Sequence, residues 1–372
     1  MRFSSRRLTI ALLTVCIISI RSYLSPRSSA APVPPPETGT EEALRAFAVI
    51  RPIDTHAHVF KNDPSFQDFL DRAHLTLLDI LVIDDTATYA KKLEPQRVDA
   101  LAAIHASAGH MVLCTTFDPY SFADPHFAEQ AIKQLNQNFA HGAVAVKLWK
   151  NVGMEIRRPD GTFVMPDDPI FEPIYKDIEK HQRTLIAHLA EPDSCWEPPG
   201  QSADYNGYYK LHPEWYMYPH PDHPSKEKLL AARDHLLEMN PHLRVVGAHL
   251  GSMETDVNQI ARRLDKYPNF AVDTAARVRY LMRQPRAKVR AFLVKYQDRV
   301  LYGTDLSLSV TANVQEALKY WEETYAQDWK FFATDETVIQ DGKEIRGLNL
   351  PGPVVRKIFR ENATRWIPGI VK

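Results

Sequence analysis

Eight short apolar runs, separated by amphipathic stretches, set the tightest limit on how this chain folds. They cover residues 49–56, 77–83, 111–117, 143–148, 184–188, 244–249, 270–273 and 300–303. Each has the length of a buried strand, too short for a core helix. Between them, stretches 124–139, 169–181, 226–239, 256–266 and 286–296 repeat apolar residues at three and four, as a helix face does. Strands that alternate with helices build parallel βα units, and eight of them predict an α/β fold, a single-domain (β/α)8 TIM barrel. A doubly wound sheet is the alternative, but no Gly-rich phosphate turn follows the first run, which disfavours its nucleotide-binding form. The 372 residues suit one large barrel, and 44% apolar content supplies its core.

Polar residues recur where these runs end. The first holds D-T-H-A-H, with His56 and His58 at strand spacing, two residues apart on one face. Lys147 ends the fourth run (A-V-A-V-K-L-W), His188 the fifth (A-H-L-A-E-P) and His249 the sixth (G-A-H-L-G), and Asp305 follows the eighth (Y-G-T-D). In a barrel all six emerge at the C-terminal rim, where active sites sit. A single strand-end histidine is usually a satisfied core residue; six groups of metal-ligand type at one rim are hard to explain that way. Imidazoles and a carboxylate suit zinc or a similar divalent ion, which lowers the pKa of water to roughly 7. Asp305 is then placed to ligate the ion, accept the water's proton and pass it on, and Asp54 to hydrogen-bond a ligand histidine.

These motifs, in this order over about residues 48–366, resemble the amidohydrolase superfamily of metal-dependent hydrolases. V-K-L-W, M-P-D-D-P-I-F-E-P-I-Y and I-F-R-E-N-A-T-R-W are similar to its amidohydrolase family 2 group. The resemblance implies that His56 and His58 bind one metal, with His188 a further ligand and Asp305 both ligand and proton carrier. It makes His249 a ligand of a second metal or a group that polarises the substrate carbonyl. Lys147 is implied either as a carboxylated lysine bridging two ions or as a structural or substrate-anchoring lysine. The implied cofactor is one or two divalent ions, zinc first. The implied reaction is hydrolysis of an amide, ester or lactone carbonyl in a small carboxylated substrate. The alternative is metal-dependent non-oxidative decarboxylation of an aromatic or muconate-type carboxylate.

Two long connections, 149–168 and 192–225, follow the fourth and fifth strands; such loops are commonly functional. The second carries Trp196, Tyr205, Tyr208, Tyr209, Trp215, Tyr216 and Tyr218, which suit a lid over the pocket or a satellite core equally. Trp149, Arg157, Arg158, Arg277 and Glu191 are candidate substrate-binding residues, the arginines as carboxylate clamps. Glu191 also reads as a solvated or salt-bridged carboxylate, and its H-x-x-E spacing after His188 resembles that of deaminases.

Residues 1–31 read as a signal peptide: a basic start with Arg2, Arg6 and Arg7, an apolar stretch at 8–20, then S-S-A-A at 28–31. A periplasmic or secreted protein is expected, with an uncleaved anchor as the alternative. A Pro-rich linker is expected over 32–46 and the catalytic barrel over 47–372. Five of the 45 basic residues fall in the signal, leaving 40 against 46 acidic ones. That balance offers no basic patch for nucleic acid. A small molecule is thus the expected partner, with no stable membrane span after cleavage and a homodimer left open. Cys114, in an apolar run, reads as a buried free thiol.

Overall fold

Seven parallel strands fall within or at the edges of the apolar runs, and an eighth is split in two. In the computed structural model, residues 39–83, 86–201 and 208–371 are described. The expected signal peptide, residues 32–38 of the linker and Tyr205 lie outside them. The strands are β1 (Ile53–Val59), β2 (Thr76–Ile80), β3 (Met111–Thr116), β4 (Ala145–Leu148), β5 (Thr184–Ala187), β6 (Arg244–Gly247), β7 (Phe270–Asp273), β8 (Val300–Leu301) and β9 (Leu306–Leu308). They form one sheet in the order β8-β7-β6-β5-β4-β3-β2-β1-β9. Nearly every strand residue is buried, as in a parallel sheet wrapped by helices.

The ring closes on β1. Its far edge pairs with β9 at Ala57↔Leu306, and the Thr55 N–H donates to the Tyr302 carbonyl at 2.9 Å. The Asp305 N–H donates to the His56 carbonyl at 2.7 Å. β8 and β9 therefore act as one eighth strand, interrupted by Tyr302–Asp305, and the fold is the (β/α)8 barrel expected. On its other edge β1 carries a bulge: Asp54 pairs with Leu77, yet Ala57 pairs with Asp79. One extra residue is accommodated there, which re-aims the side chains beside it.

The expected helices form as Phe127–Ala140, Glu172–Lys180, Lys226–Met239, Val257–Lys266 and Arg286–Lys295. Ser225 and Asp256 start two of them, each side chain accepting from a backbone N–H of the first turn. Among the described residues no helix is long and apolar enough to cross a membrane.

The linker expectation fails over residues 39–46. Gly39–Val49 is a helix, and it buries Ala43 and Phe47 against helix Val314–Ala333. The prolines end at Pro36, and E-E-A-L-R-A-F-A-V that follows holds an apolar face. Phe47 stacks on Tyr325 at 5.1 Å between ring centroids and meets Tyr302 and Phe359 edge-on. Phe47→Ala is expected to cost about 3–5 kcal/mol through the cavity it leaves. A thermal-unfolding midpoint unchanged from wild type would show that this helix is no part of the folded unit.

Candidate active site

His56 and His58 stand side by side in β1 because the strand is extended there. His56 Nδ1 lies 2.9 Å from Asp273 Oδ2 and His58 Nδ1 2.9 Å from the Ile80 carbonyl. His249 Nδ1 lies 2.9 Å from the Ala275 carbonyl. Carbonyl oxygens only accept, so Nδ1 of His58 and of His249 carries the proton. The Asp273 carboxylate selects the same tautomer in His56. Each ring is left with its Nε2 lone pair for a shared centre.

Asp305 completes that centre. Its Oδ1 is 3.2 Å from His58 Nε2 and 3.5 Å from His56 Nε2. Ligand atoms of His56, His58 and Asp305 all lie within 4.8 Å of one another, close enough to hold one metal ion. The ring of His249 is 4.8 Å from that of His56, and the ring of His188 is 4.2 Å from that of His249. Both His188 ring nitrogens are buried without a hydrogen-bond partner. An imidazole left dry and unpaired costs free energy that a bound cation would recover. The donor set therefore fits a divalent ion.

The backbone is bent to serve this arrangement. His249 (φ 59°), Leu250 (φ 57°), Ala276 (φ 54°) and Asp305 (φ 67°) all lie in the left-handed region that side chains seldom adopt. The N–H groups of His249 and Ala275 both donate to Asp273 Oδ1, at 2.8 and 3.1 Å, which holds the β6 and β7 ends in place.

Burial governs the charges. It lowers the pKa of His188 and His249 well below the usual imidazole value and that of His56 less far, so all three are neutral and ligand-competent at pH 7. Burial opposes ionisation of Asp305, but His249, His58 and His56 hold its carboxyl well below the ordinary range. Lys147 is pushed down to about 8, chiefly by burial. Its Nζ sits 2.8 Å from His56 Nε2 and 4.8 Å from the Trp149 ring centre, so it faces the same point as the ligands.

The remaining candidates divide. Trp149 packs against the rings of His58 and His188 and donates to the Leu81 carbonyl. Arg277 lines a cavity of roughly 230 Å³ with His188, His249 and Asp305. It is only 8% exposed and its Nε lacks a partner. Glu191 lines the same cavity but is buried in an ion pair with Lys150, which accounts for it better than a proton shuttle. Arg157 and Arg158 are not brought to the histidines. Arg157 pairs with Asp222 and Arg158 with Asp168, because a short bridge between Arg157 and Phe163 turns both away from that cavity. In the long second loop, Trp215, Tyr216 and Tyr209 form a satellite core with Cys195 and Met217, whereas Tyr208 and Tyr209 also line the cavity. Cys114 and Cys195 are buried free thiols.

Asp54 corrects a parity argument. Regular alternation puts it on the face of His56, but the bulge after it reverses that. Asp54 instead accepts from Thr304 Oγ1 at 2.5 Å and Tyr325 OH at 2.8 Å, and from the His56 backbone N–H. Nearby, Tyr302 OH donates to the buried Asp328 at 2.8 Å. Asp273 and Lys150 are the site residues that sequence reasoning passed over. Asp273 ends its apolar run as His188 and His249 end theirs, and that was the available signal.

A family model described as amidohydrolase matches residues 53–368. Among solved structures, a 2,6-dihydroxybenzoate decarboxylase complexed with 2,6-dihydroxybenzoate superposes with a TM-score of 0.51 at 13% identity, covering 85% of this chain and 98% of that one. A dihydroxybenzoic acid decarboxylase from Polaromonas sp. JS666, with bound manganese and 2-nitroresorcinol, gives 0.51 at 11% identity, covering 85% and 96%. At such identities the likeness is one of fold. No curated protein matches the sequence significantly.

Asp273→Asn is expected to weaken divalent-metal affinity about 10–100-fold in chelator competition, because it removes the carboxylate that orients His56. Unchanged affinity would refute that role. A second expectation concerns pH. Burial raises the Asp328 carboxyl from 3.8 to about 7, so between those values the folded chain keeps a proton that the unfolded chain has released. Stability must fall as pH rises through that window, by at most about 4 kcal/mol from this group. The drop in unfolding midpoint between about pH 5 and pH 8 should shrink in Asp328→Asn. Equal drops in the two proteins would show that Asp328 ionises normally.

Proposed function

This chain belongs to the amidohydrolase family, and on that premise we propose that it is a metal-dependent hydrolase acting on an amide, ester or lactone of a small carboxylated substrate. The observation that carries the reading is the convergence of His56, His58 and Asp305 on one ion-sized point. When bound there, a divalent ion, zinc or manganese by donor type, supplies Lewis acidity and acidifies water to a pKa of roughly 7.

The protein's own groups do the rest. Asp305, ionised and partly exposed at the junction of the His188–Arg277 cavity with a second, roughly 640 Å³ cavity, takes the proton of the attacking water and delivers it to the leaving group. His249 has its Nδ1 proton committed to Ala275, so the neutral ring offers a lone pair and acts as ligand or proton acceptor. That supports these roles over polarising a carbonyl. Arg277 anchors a substrate carboxylate through its buried guanidinium. Lys150 stays neutralised by Glu191, which leaves Arg277 and Arg279 as the other cations lining this cavity. Lys147 Nζ lies 2.8 Å from the His56 nitrogen that would take the ion, a position that suits either a substrate-anchoring amine or a carboxylated lysine bridging two ions.

A second reading, non-oxidative decarboxylation of an aromatic or muconate-type carboxylate, is favoured by the same Arg277 together with the single-ion size of the cluster. We further propose that residues 1–31 direct export.

Chelator-treated enzyme should lose activity and regain it with Zn²⁺ or Mn²⁺. His56→Ala and Asp305→Asn should each lower kcat/KM by about 10²–10⁴-fold. Turnover in ¹⁸O-labelled water separates the two readings: label in the organic product supports hydrolysis, whereas carbon dioxide release with no label in the organic product overturns it. Activity unaffected by Asp305→Asn would remove the proton-transfer assignment from both.

A further inference from the structure

The loop after β5 ends in a second donor cluster, away from the barrel mouth. Residues 219–224 read P-H-P-D-H-P, and the His223 N–H closes a turn onto the His220 carbonyl at 3.0 Å. That turn sets the rings of His220 and His223 4.7 Å apart, with Asp222 between them. Ligand atoms of the three residues lie within 4.8 Å of one another. His220 and Asp222 are exposed and His223 is half-buried, so a solvated ion reaches all three.

The turn is stiff. Three prolines in six residues restrict its backbone, and Trp196 Nε1 donates to the Pro224 carbonyl at 3.1 Å. Donors held in place before binding lose little entropy on taking an ion. Across the gap stands Arg157, whose Nη1 donates to Asp222 at 2.9 Å and whose Nη2 lies 3.1–3.2 Å from the His223 ring nitrogens. Phe163, on the same short bridge, packs against His223 at 5.0 Å between centroids. Arg157 thus occupies the place a cation would take, and it joins the loop after β4 to the loop after β5.

We propose that His220, Asp222 and His223 form a second divalent-metal site, for zinc or another imidazole-binding ion, that competes with Arg157 for Asp222. Guanidinium and ion cannot share that carboxylate at full strength. Metal uptake therefore releases the Arg157 guanidinium from Asp222 and His223, and the tie between two loops on the catalytic face follows the free metal concentration. This site is independent of the barrel chemistry proposed above.

The test is Zn²⁺ uptake by the full-length protein in equilibrium dialysis. Wild type should bind one more ion than the double variant His220→Ala/His223→Ala. Arg157→Ala should hold that ion about fivefold tighter, from loss of one neighbouring positive charge in water. Equal uptake by wild type and the double variant overturns the site. Unchanged or weaker binding in Arg157→Ala overturns the competition. His56→Ala separates this proposal from the barrel reading, since it should remove the barrel ion and leave the loop ion. His220 and Arg157 are exposed and His223 half-buried, whereas His56 is buried, and unfolding midpoints equal to wild type will show that the variants are folded.

Discussion

The Asp273 carboxylate is the constraint on which the catalytic end of the barrel depends. One oxygen takes the N–H groups of His249 and Ala275, and the other takes the His56 ring. One buried group thereby ties β1 to β6 and β7. Burial disfavours its charge, yet attraction and hydrogen bonding from His56 keep its pKa below normal. A buried carboxylate with all its donors satisfied is rigid, and rigidity is what ligand geometry needs. The left-handed backbone at His249, Leu250 and Ala276 is the strain this anchorage sustains.

Much of this was legible in the residues. Periodicity located the strands because parallel strands are buried on both faces and read as continuous apolar runs, and it located the five helices whose polar faces interrupt them. The cluster of His56, His58 and Asp305 was legible for the same reason: a charged or imidazole group directly after such a run has no solvated alternative. Asp273 shared that signal but was overlooked, since one aspartate after three apolar residues looks like the end of a strand. Its tie to β1 and β6 runs through partners 217 and 24 positions away.

Where pattern reading failed, a local irregularity was the cause. Parity placed Asp54 with His56, and one inserted residue in β1 sent it to Thr304 and Tyr325 instead. A proline-rich start suggested that extended chain continued to residue 46, whereas burial of Phe47 turned its last part into helix. Arg157 and Arg158 have the right chemistry for a carboxylate clamp, but the turn between them and Phe163 points them at Asp222 and Asp168. No spacing rule encodes a bulge or a loop-to-loop ion pair; each depends on what the rest of the chain places opposite.

The seam of the barrel carries one more consequence, and it concerns the order of events during folding. Asp305 meets His58 across 247 positions of chain, so β1, among the first elements made, waits for β8 and β9 before its histidines gain their carboxylate. Contacts this remote form late, after local units have collapsed. A growing or partly folded chain therefore offers two adjacent imidazoles and little else to a passing ion. Strong capture would become available only when the two ends of the barrel are sewn together, which would make metal affinity itself a report that the whole chain has reached its final topology.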